Sequence, residues 1–291
     1  MAIVVTGATG HLGRLVVESL LKRGVPAENV VATGRRVETI ADLAERGVDV
    51  RRAEFDRPDT LATAFAGAAV VLLVSGSEFG TRVAGHRAVV EAARAAGAGR
   101  IVYTSAPHAD TSTMLLARDH RATEEIVKAS GLPWTVLRNG FYHEVYTDQL
   151  PSYLQQGAIV GAAGTGRISG AARADLADAA AAVLTGDGHA ERTYELGGDE
   201  AFTMPEFAAE LSRQSGRTIP YRTVPVAEYQ AALEGFGLPS PVAEVYADID
   251  RGIEAGLVHI ENGDLRALIG RPTTPLSQSI ADALAHLSRS S

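Results

Sequence analysis

The residues with the clearest chemical signature stand at the N-terminus. Gly7-Ala8-Thr9-Gly10-His11-Leu12-Gly13 has the spacing Gly-x-x-Gly-x-x-Gly. It follows the apolar run Ala2–Thr6 and opens a segment with Leu12, Leu15, Val16 and Leu20 at helical spacing. Glycines at these positions allow a sharp turn off a strand, close approach of backbone to a pyrophosphate, and tight helix–strand packing. The helix that follows offers unpaired N–H groups and a partial positive charge to phosphate oxygens. The strand–turn–helix context that the motif requires is present. Gly7 through Gly13 are therefore expected to hold a dinucleotide.

The second apolar run, Val30–Gly34, ends in Arg35-Arg36, where a fold that prefers NAD would place a carboxylate for the ribose hydroxyls. A guanidinium there binds a 2′-phosphate through paired charge-assisted hydrogen bonds. The expectation is NADPH over NADH, with Arg35 as the main contact and Arg36 beside the adenine; Glu38 is the nearby carboxylate that a register shift would bring to the ribose. Asp56, after the third run, suits either the adenine amine or the cap of a helix that starts at Pro58. The fourth run closes in Val74-Ser75-Gly76-Ser77, whose small residues let backbone lie along a ribose.

The proton-transfer pair of many short-chain reductases is missing. A Tyr-x-x-x-Lys pair needs tyrosine four residues before a lysine, and Glu18 and Glu124 stand four before the only lysines, Lys22 and Lys128. Chemistry at this site must then ask little proton transfer of the protein. A quinone fits, because hydride addition yields a stabilised phenolate that takes its proton from water, and the protein supplies proximity and an apolar slot. Reduction of an enone calls for a lysine near the nicotinamide, and the chain is expected to have none there. A non-catalytic redox sensor that binds NADP(H) is the competing reading. Asn139, Phe141 and Tyr142 follow a strand end, as slot residues do; His108 is a further candidate near the cleft. His120 and Glu124, four apart on a helix, share a face and form a candidate proton relay. Arg173 suits either a cofactor phosphate or a surface ion pair, and Asp175 reads as a helix N-cap.

These residues need a scaffold. Short apolar runs at Ala2–Thr6, Val30–Gly34, Val48–Phe55, Val70–Ser75, Arg100–Ser105, Trp134–Arg138 and Thr193–Leu196 alternate with helical patterns, which predicts a parallel sheet covered on both faces. From Phe141 onward helical stretches dominate, at 143–155 (split at Pro151), 204–215, 226–235, 241–256 and 276–288. The fold class expected is α/β: a Rossmann-type, doubly wound parallel sheet with a smaller, mainly helical second domain. Residues 1–140 form the dinucleotide-binding domain with a return segment at 171–198, and 141–291 form the discontinuous substrate-side domain.

Composition excludes other classes. The 291 residues carry a net charge of −8, which argues against a nucleic-acid partner. The absence of cysteine removes disulfides, thiolate metal sites and thiol nucleophiles. His86 and His143 show no metal spacing, so no metal is expected. The longest apolar stretch, Ala68–Val74, is far short of the ~20 residues that span a bilayer. No basic segment precedes the first strand pattern, so the expected location is cytoplasmic, without membrane association; a homo-oligomer is left open.

Five segments together resemble a known family: Thr6–Gly13, Tyr103-Thr104-Ser105, His108-Ala109-Asp110-Thr111-Ser112, Leu137-Arg138-Asn139-Gly140-Phe141-Tyr142 and Gly161-Ala162-Ala163-Gly164, with Arg271-Pro272-Thr273-Thr274 near the C-terminus. The chain resembles the bacterial NAD(P)H:quinone oxidoreductase 2 proteins, within the NmrA-like, atypical short-chain dehydrogenase/reductase group. The resemblance implies NADPH bound between two domains and flavin-independent, two-electron reduction of quinones. It carries Gly7 to Leu12 and Arg35 over as cofactor contacts and implies that Arg138, Asn139, Gly140, Phe141, Tyr142 and His143 border the nicotinamide and substrate. The sequence departs from the family pattern at Phe141, where tryptophan is expected, and at Gly76; the size of the slot depends on both.

Overall fold

The apolar runs pair into one parallel sheet. Its strands are β1 (Ala2–Val5), β2 (Val30–Gly34), β3 (Asp49–Arg52), β4 (Ala68–Leu73), β5 (Arg100–Ser105), β6 (Trp134–Asn139) and, after the short β7 (Ile159–Gly161), β8 (Arg192–Leu196). The order across the sheet is β3-β2-β1-β4-β5-β6-β8. The computed structural model describes residues 2–76 and 80–290. Register aligns the side chains into rows. Val31, Val4, Val71 and Ile101 are successive cross-strand partners on one face; Ala32, Val5, Leu72 and Val102 are partners on the other. Each row lies in a different core cluster, as alternation along a strand demands. Burying one such Val, Leu or Ile contributes roughly 1.5–3 kcal/mol.

Helices cover both faces. The face of Ala32, Val5, Leu72 and Val102 packs against α1 (His11–Lys22), which buries Val16, Val17 and Leu20. The face of Val31, Val4, Val71 and Ile101 packs against α3 (Pro58–Ala64), α4 (Arg82–Ala95) and α5 (Leu115–Lys128); the short α2 (Ala41–Glu45), between β2 and β3 in the chain, adds Leu43 to the α1 core. The chain then leaves the sheet through α6 (His143–Thr147) and α7 (Leu150–Gln156), which are separate helices with Pro151 in the first turn of the second. It returns through α8 (Arg173–Thr185), whose alanines let it pack closely on α1, and ends that return in the edge strand β8.

The remainder is α9 (Met204–Ser215), β9 (Tyr221–Thr223), α10 (Val226–Gly235), α11 (Ser240–Glu254), α12 (Asp264–Ile269) and α13 (Leu276–Ser290). A third core gathers Phe202, Phe207, Leu211, Tyr146, Ile253 and Ile280 here. Thr203 caps α9 in a capping box with Glu206, which is why that helix begins where the sequence pattern places it. The small β7–β9 parallel pair goes unseen by the sequence reading, since three-residue strands carry no periodicity. Asp175 is not a cap: α8 starts after Ala172, and the buried Asp175 carboxylate accepts from Thr274 and pairs with Arg271. The Arg-Pro-Thr-Thr segment thus ties the C-terminal region to α8.

Candidate active site

The sheet order reverses at β1, where the chain crosses from the β1-β2-β3 side to β4. At such a switch point the loops after neighbouring strands diverge and leave a crevice at their carboxyl ends. The crevice here is a cleft of about 1120 Å³, lined at one end by Gly7, Thr9 to Gly13 and Arg35, and at the other by Ser105, His120 and Asn139 to Tyr142.

The glycine loop is built for close approach. Gly7 has φ +63°, a conformation that favours glycine. A Cβ on Gly13 would lie 2.4 Å from the Gly7 carbonyl oxygen, so only glycine lets α1 start this close to β1. The turn is closed by Gly10 N–H to Gly7 C=O at 2.9 Å, and Ala8 N–H donates to Thr33 C=O at 2.8 Å. Gly10 is the N-cap of α1 and provides no side-chain cap, so the first-turn N–H groups face the cleft uncapped. Ala8 itself is fully buried and outside the lining, a correction to its place among the expected contacts. Its side chain fills the space beneath the loop.

Arg35 lines the cleft at the end of β2; Arg36 is exposed and lies outside the lining, against the expected position beside the adenine. Asp56 lines the cleft with Glu54 and Phe55, and it does not cap α3, whose N-cap is Arg57. Ser75 and Gly76 line the same wall; Ser77 lies outside the described residues. The sequence reading missed Phe55 and the first turns of α4, including Gly85 and His86, which also line the cleft. A Cβ on Gly85 would meet Phe55 Cβ at 3.0 Å. The signal was a glycine inside a helical pattern, which marks close packing.

At the other end Asn139 and Gly140 leave β6. Gly140 is pressed between the carbonyls of Ser169 and Leu196, where a Cβ would come within 2.6 and 2.9 Å of their oxygens. Phe141 and Tyr142 line the cleft, and the Arg173 guanidinium lies 5.3 Å from the Tyr142 ring centre. Burial pushes the Tyr142 phenol up, against a hydrogen bond from Asn139. The Asn139 carbonyl oxygen is buried without a hydrogen-bond partner. A buried acceptor left open is costly, about 1–3 kcal/mol, and in a cleft it marks a place for a ligand N–H.

Three expected contacts lie elsewhere. The Arg138 guanidinium turns beneath the cleft, donating to both Glu124 oxygens at 2.8 and 2.7 Å and to Asp110 and Glu195 at 2.9 Å. Burial would raise the Glu124 carboxyl, but Arg138, Ser105 and Lys128 outweigh it and hold the group below the usual range. Glu124 is thus committed to Arg138 and forms no pair with His120, so the two do not make a relay. His108, strained at φ +47°, bonds His259 C=O through Nε2 and lies outside the cleft lining. His143 is buried against Phe202 and bonded to Ser279; it too is outside the lining. In both cases the strand end was read correctly, but the direction of the side chain follows from contacts with the second core.

His120 replaces them. It lines the cleft, and its Nδ1 is 2.8 Å from the Tyr103 hydroxyl. Burial, with Arg82 and His86 nearby, pushes its imidazole down to about 3, so the ring is neutral. Beneath it, His86 accepts from Gly76 N–H at Nε2 and meets Thr123 at Nδ1. Among the described residues no cluster of three or more His, Asp or Glu is arranged to hold a metal, and no helix is long and apolar enough to cross a membrane.

Residues 7–187 match the NAD(P)H-binding family. The chain is 44% identical to quinone oxidoreductase 2 of Escherichia coli over 96% of its own length and 97% of that protein. The crystal structure of the Escherichia coli NADPH-dependent quinone oxidoreductase complexed with NADPH superposes with a TM-score of 0.93 over 97% of this chain and 99% of that one. Triphenylmethane reductase of Citrobacter sp. is 38% identical, with a TM-score of 0.91 over 98% of this chain and 100% of that one. A switch-point cleft with a glycine loop, on a fold and sequence shared this closely, leaves one assignment: the chain belongs to the NAD(P)H-binding, NmrA-like oxidoreductase family that includes quinone oxidoreductase 2.

Proposed function

We propose that this protein reduces quinones with NADPH by direct, two-electron hydride transfer and without flavin. The observation that carries the reading is one continuous cleft, with phosphate-holding groups at one end and a flat, aromatic-walled slot holding an open buried acceptor at the other. The 44% identity to quinone oxidoreductase 2 supports the substrate class. NADPH, when bound, supplies the hydride. The uncapped amides at the start of α1 suit its pyrophosphate, and Arg35 suits the 2′-phosphate. The open Asn139 carbonyl oxygen suits the carboxamide N–H₂, which would fix which face of the nicotinamide looks into the slot. Phe141 and Tyr142 suit the flat face of a quinone and keep water from it.

The chain has no cysteine to protect or oxidise, and the cytoplasm, where NADPH chemistry operates, is the compartment we propose. The test is NADPH consumption by metal-free, flavin-free protein with benzoquinone, with naphthoquinone, and with no acceptor. Oxidation that requires a quinone is expected. Tight NADPH binding with no quinone-dependent loss would favour the sensor, and copurifying flavin would overturn direct transfer.

A further inference from the structure

We propose that His120 is the hydrogen-bond donor to the quinone oxygen, held by Tyr103 as the neutral tautomer that turns its Nε2–H into the cleft. The proposal rests on the quinone reading above and adds to it the group that meets the developing charge.

The geometry sets the tautomer. Tyr103 is fully buried, and its phenol proton needs an acceptor. The hydroxyl stands 2.8 Å from His120 Nδ1. The Thr123 and Ser75 hydroxyls are also within hydrogen-bonding reach of the Tyr103 hydroxyl. Thr123 is already engaged, donating to the Asp119 carbonyl at 2.9 Å and meeting His86 Nδ1 at 2.9 Å. His86 Nε2 accepts from Gly76 N–H, so the His86 proton is on Nδ1 and points at Thr123. Ser75 is engaged too, donating to Gly76 C=O at 3.3 Å; of the acceptors in reach, the His120 Nδ1 lone pair is more basic than a hydroxyl oxygen and takes the Tyr103 proton. Burial pushes the phenol up and the imidazole down, so both partners stay neutral and the one imidazole proton sits on Nε2. Nε2 has no hydrogen-bond partner among the described residues, and His120 lines the same cleft as Ser105 and Asn139.

The step balances without a protein acid. One carbonyl oxygen of the quinone takes a hydride, one proton with two electrons, from the dihydronicotinamide: the nicotinamide C–H bond breaks, an O–H bond forms, the quinone ring becomes aromatic and NADP⁺ is left. The negative charge gathers on the opposite quinone oxygen, where His120 Nε2–H donates a hydrogen bond without giving up its proton. Water then protonates the hydroquinone anion. A fixed neutral donor aimed at a developing oxyanion is worth on the order of 100-fold in turnover. Tyr103 acts through His120 and is a positioning residue.

The experiment compares the parent with His120→Leu, His120→Gln, Tyr103→Phe and Tyr142→Phe. It reads kcat and KM for naphthoquinone, NADPH affinity by fluorescence, the thermal midpoint, and the imidazole ¹⁵N spectrum of histidine-labelled protein at pH 7. We expect His120→Leu to lose roughly 100-fold in kcat with NADPH affinity kept. His120→Gln, which keeps an N–H donor at similar reach, should recover to within about tenfold of the parent. Tyr103→Phe should mix the tautomers in the ¹⁵N spectrum and cost roughly tenfold in kcat. The proposal is overturned by His120→Leu turning over within threefold of the parent, by a parent spectrum with the proton on Nδ1, or by a loss confined to Tyr142→Phe. A parent without quinone-dependent turnover would sink the quinone reading instead. The nitrogen spectrum then judges the donor by itself: Nε2–H in the NADP⁺ complex, shifted by 4-nitrophenolate as an oxyanion probe, supports it, and Nδ1–H or no shift overturns it.

Discussion

Arg35 and Gly13 do different kinds of work within one phosphate grip. Arg35 supplies charge at the end of β2, where no carboxylate competes for the ribose. Its replacement by alanine removes the guanidinium from the expected 2′-phosphate site and leaves the NADH complex untouched. The ratio of kcat/KM for NADPH over NADH is expected to fall by about 2 kcal/mol, roughly 30-fold, the worth of hydrogen bonds to a charged group. An unchanged ratio removes Arg35 from this role. Arg138 carries the opposite lesson. It sits in one of the segments that carry the family resemblance, yet its charge is spent on Glu124, Glu195 and Asp110 beneath the site.

At the scale of elements, the approach of α1 to β1 decides whether the dinucleotide site exists. Gly13 lies against the backbone of Gly7 and Ala8, and backbone cannot swing aside as a side chain can. Gly13→Ala puts a methyl within 2.4 Å of the Gly7 oxygen and must push the helix start away from the strand. Overpacking of this kind costs about 1–3 kcal/mol. The expected result is a lower melting temperature together with at least tenfold weaker NADPH binding, read by calorimetry and by fluorescence titration. A variant that melts lower and binds NADPH as before would show that the helix start plays no part in cofactor binding.

The whole molecule holds several histidines neutral in its interior, and that makes it acid-sensitive. Burial is the main cause in each case: His86 and His143 are pushed down to about 4 and His120 to about 3. In the unfolded chain histidine titrates near 6.5. Between those values the unfolded state takes up protons that the folded state refuses, so stability rises with pH through this window and is lost as pH falls below about 6.5. Asp250 opposes the trend: burial pushes it up to about 6, so its contribution is full below 3.8 and fades as pH rises through 6. One carboxyl offsets one histidine, and the net loss on acidification towards pH 4 is on the order of several kcal/mol. Melting temperatures between pH 7.5 and 4.5 should fall steadily, and His143→Gln should flatten the slope. A melting temperature that holds constant from pH 7 to 5 would refute this account.

Local patterns in the chain were enough for the sheet, the glycine turn and the long amphipathic helices. Strand and helix periods are short-range, and a glycine with positive φ or a capping box needs only its neighbours. Val30–Gly34, Arg100–Ser105 and Met204–Ser215 have in the structure the bounds that the pattern predicts. The strand-end rule also puts Asn139, Phe141, Tyr142 and Arg35 at one crevice, and all four line it. Which way a side chain turns from a strand end depended on partners far away in sequence. Arg138 faces Glu124 and Glu195, His108 faces His259, and His143 faces Ser279, across separations that no local pattern records. The same holds for His120: helical spacing grouped it with Glu124, but Tyr103, on a neighbouring strand, took its Nδ1 and left its other nitrogen to the cleft. Backbone conformation is chosen by adjacent residues, whereas buried polar groups must be satisfied by whatever the packed fold brings near, and only tertiary structure decides those pairings.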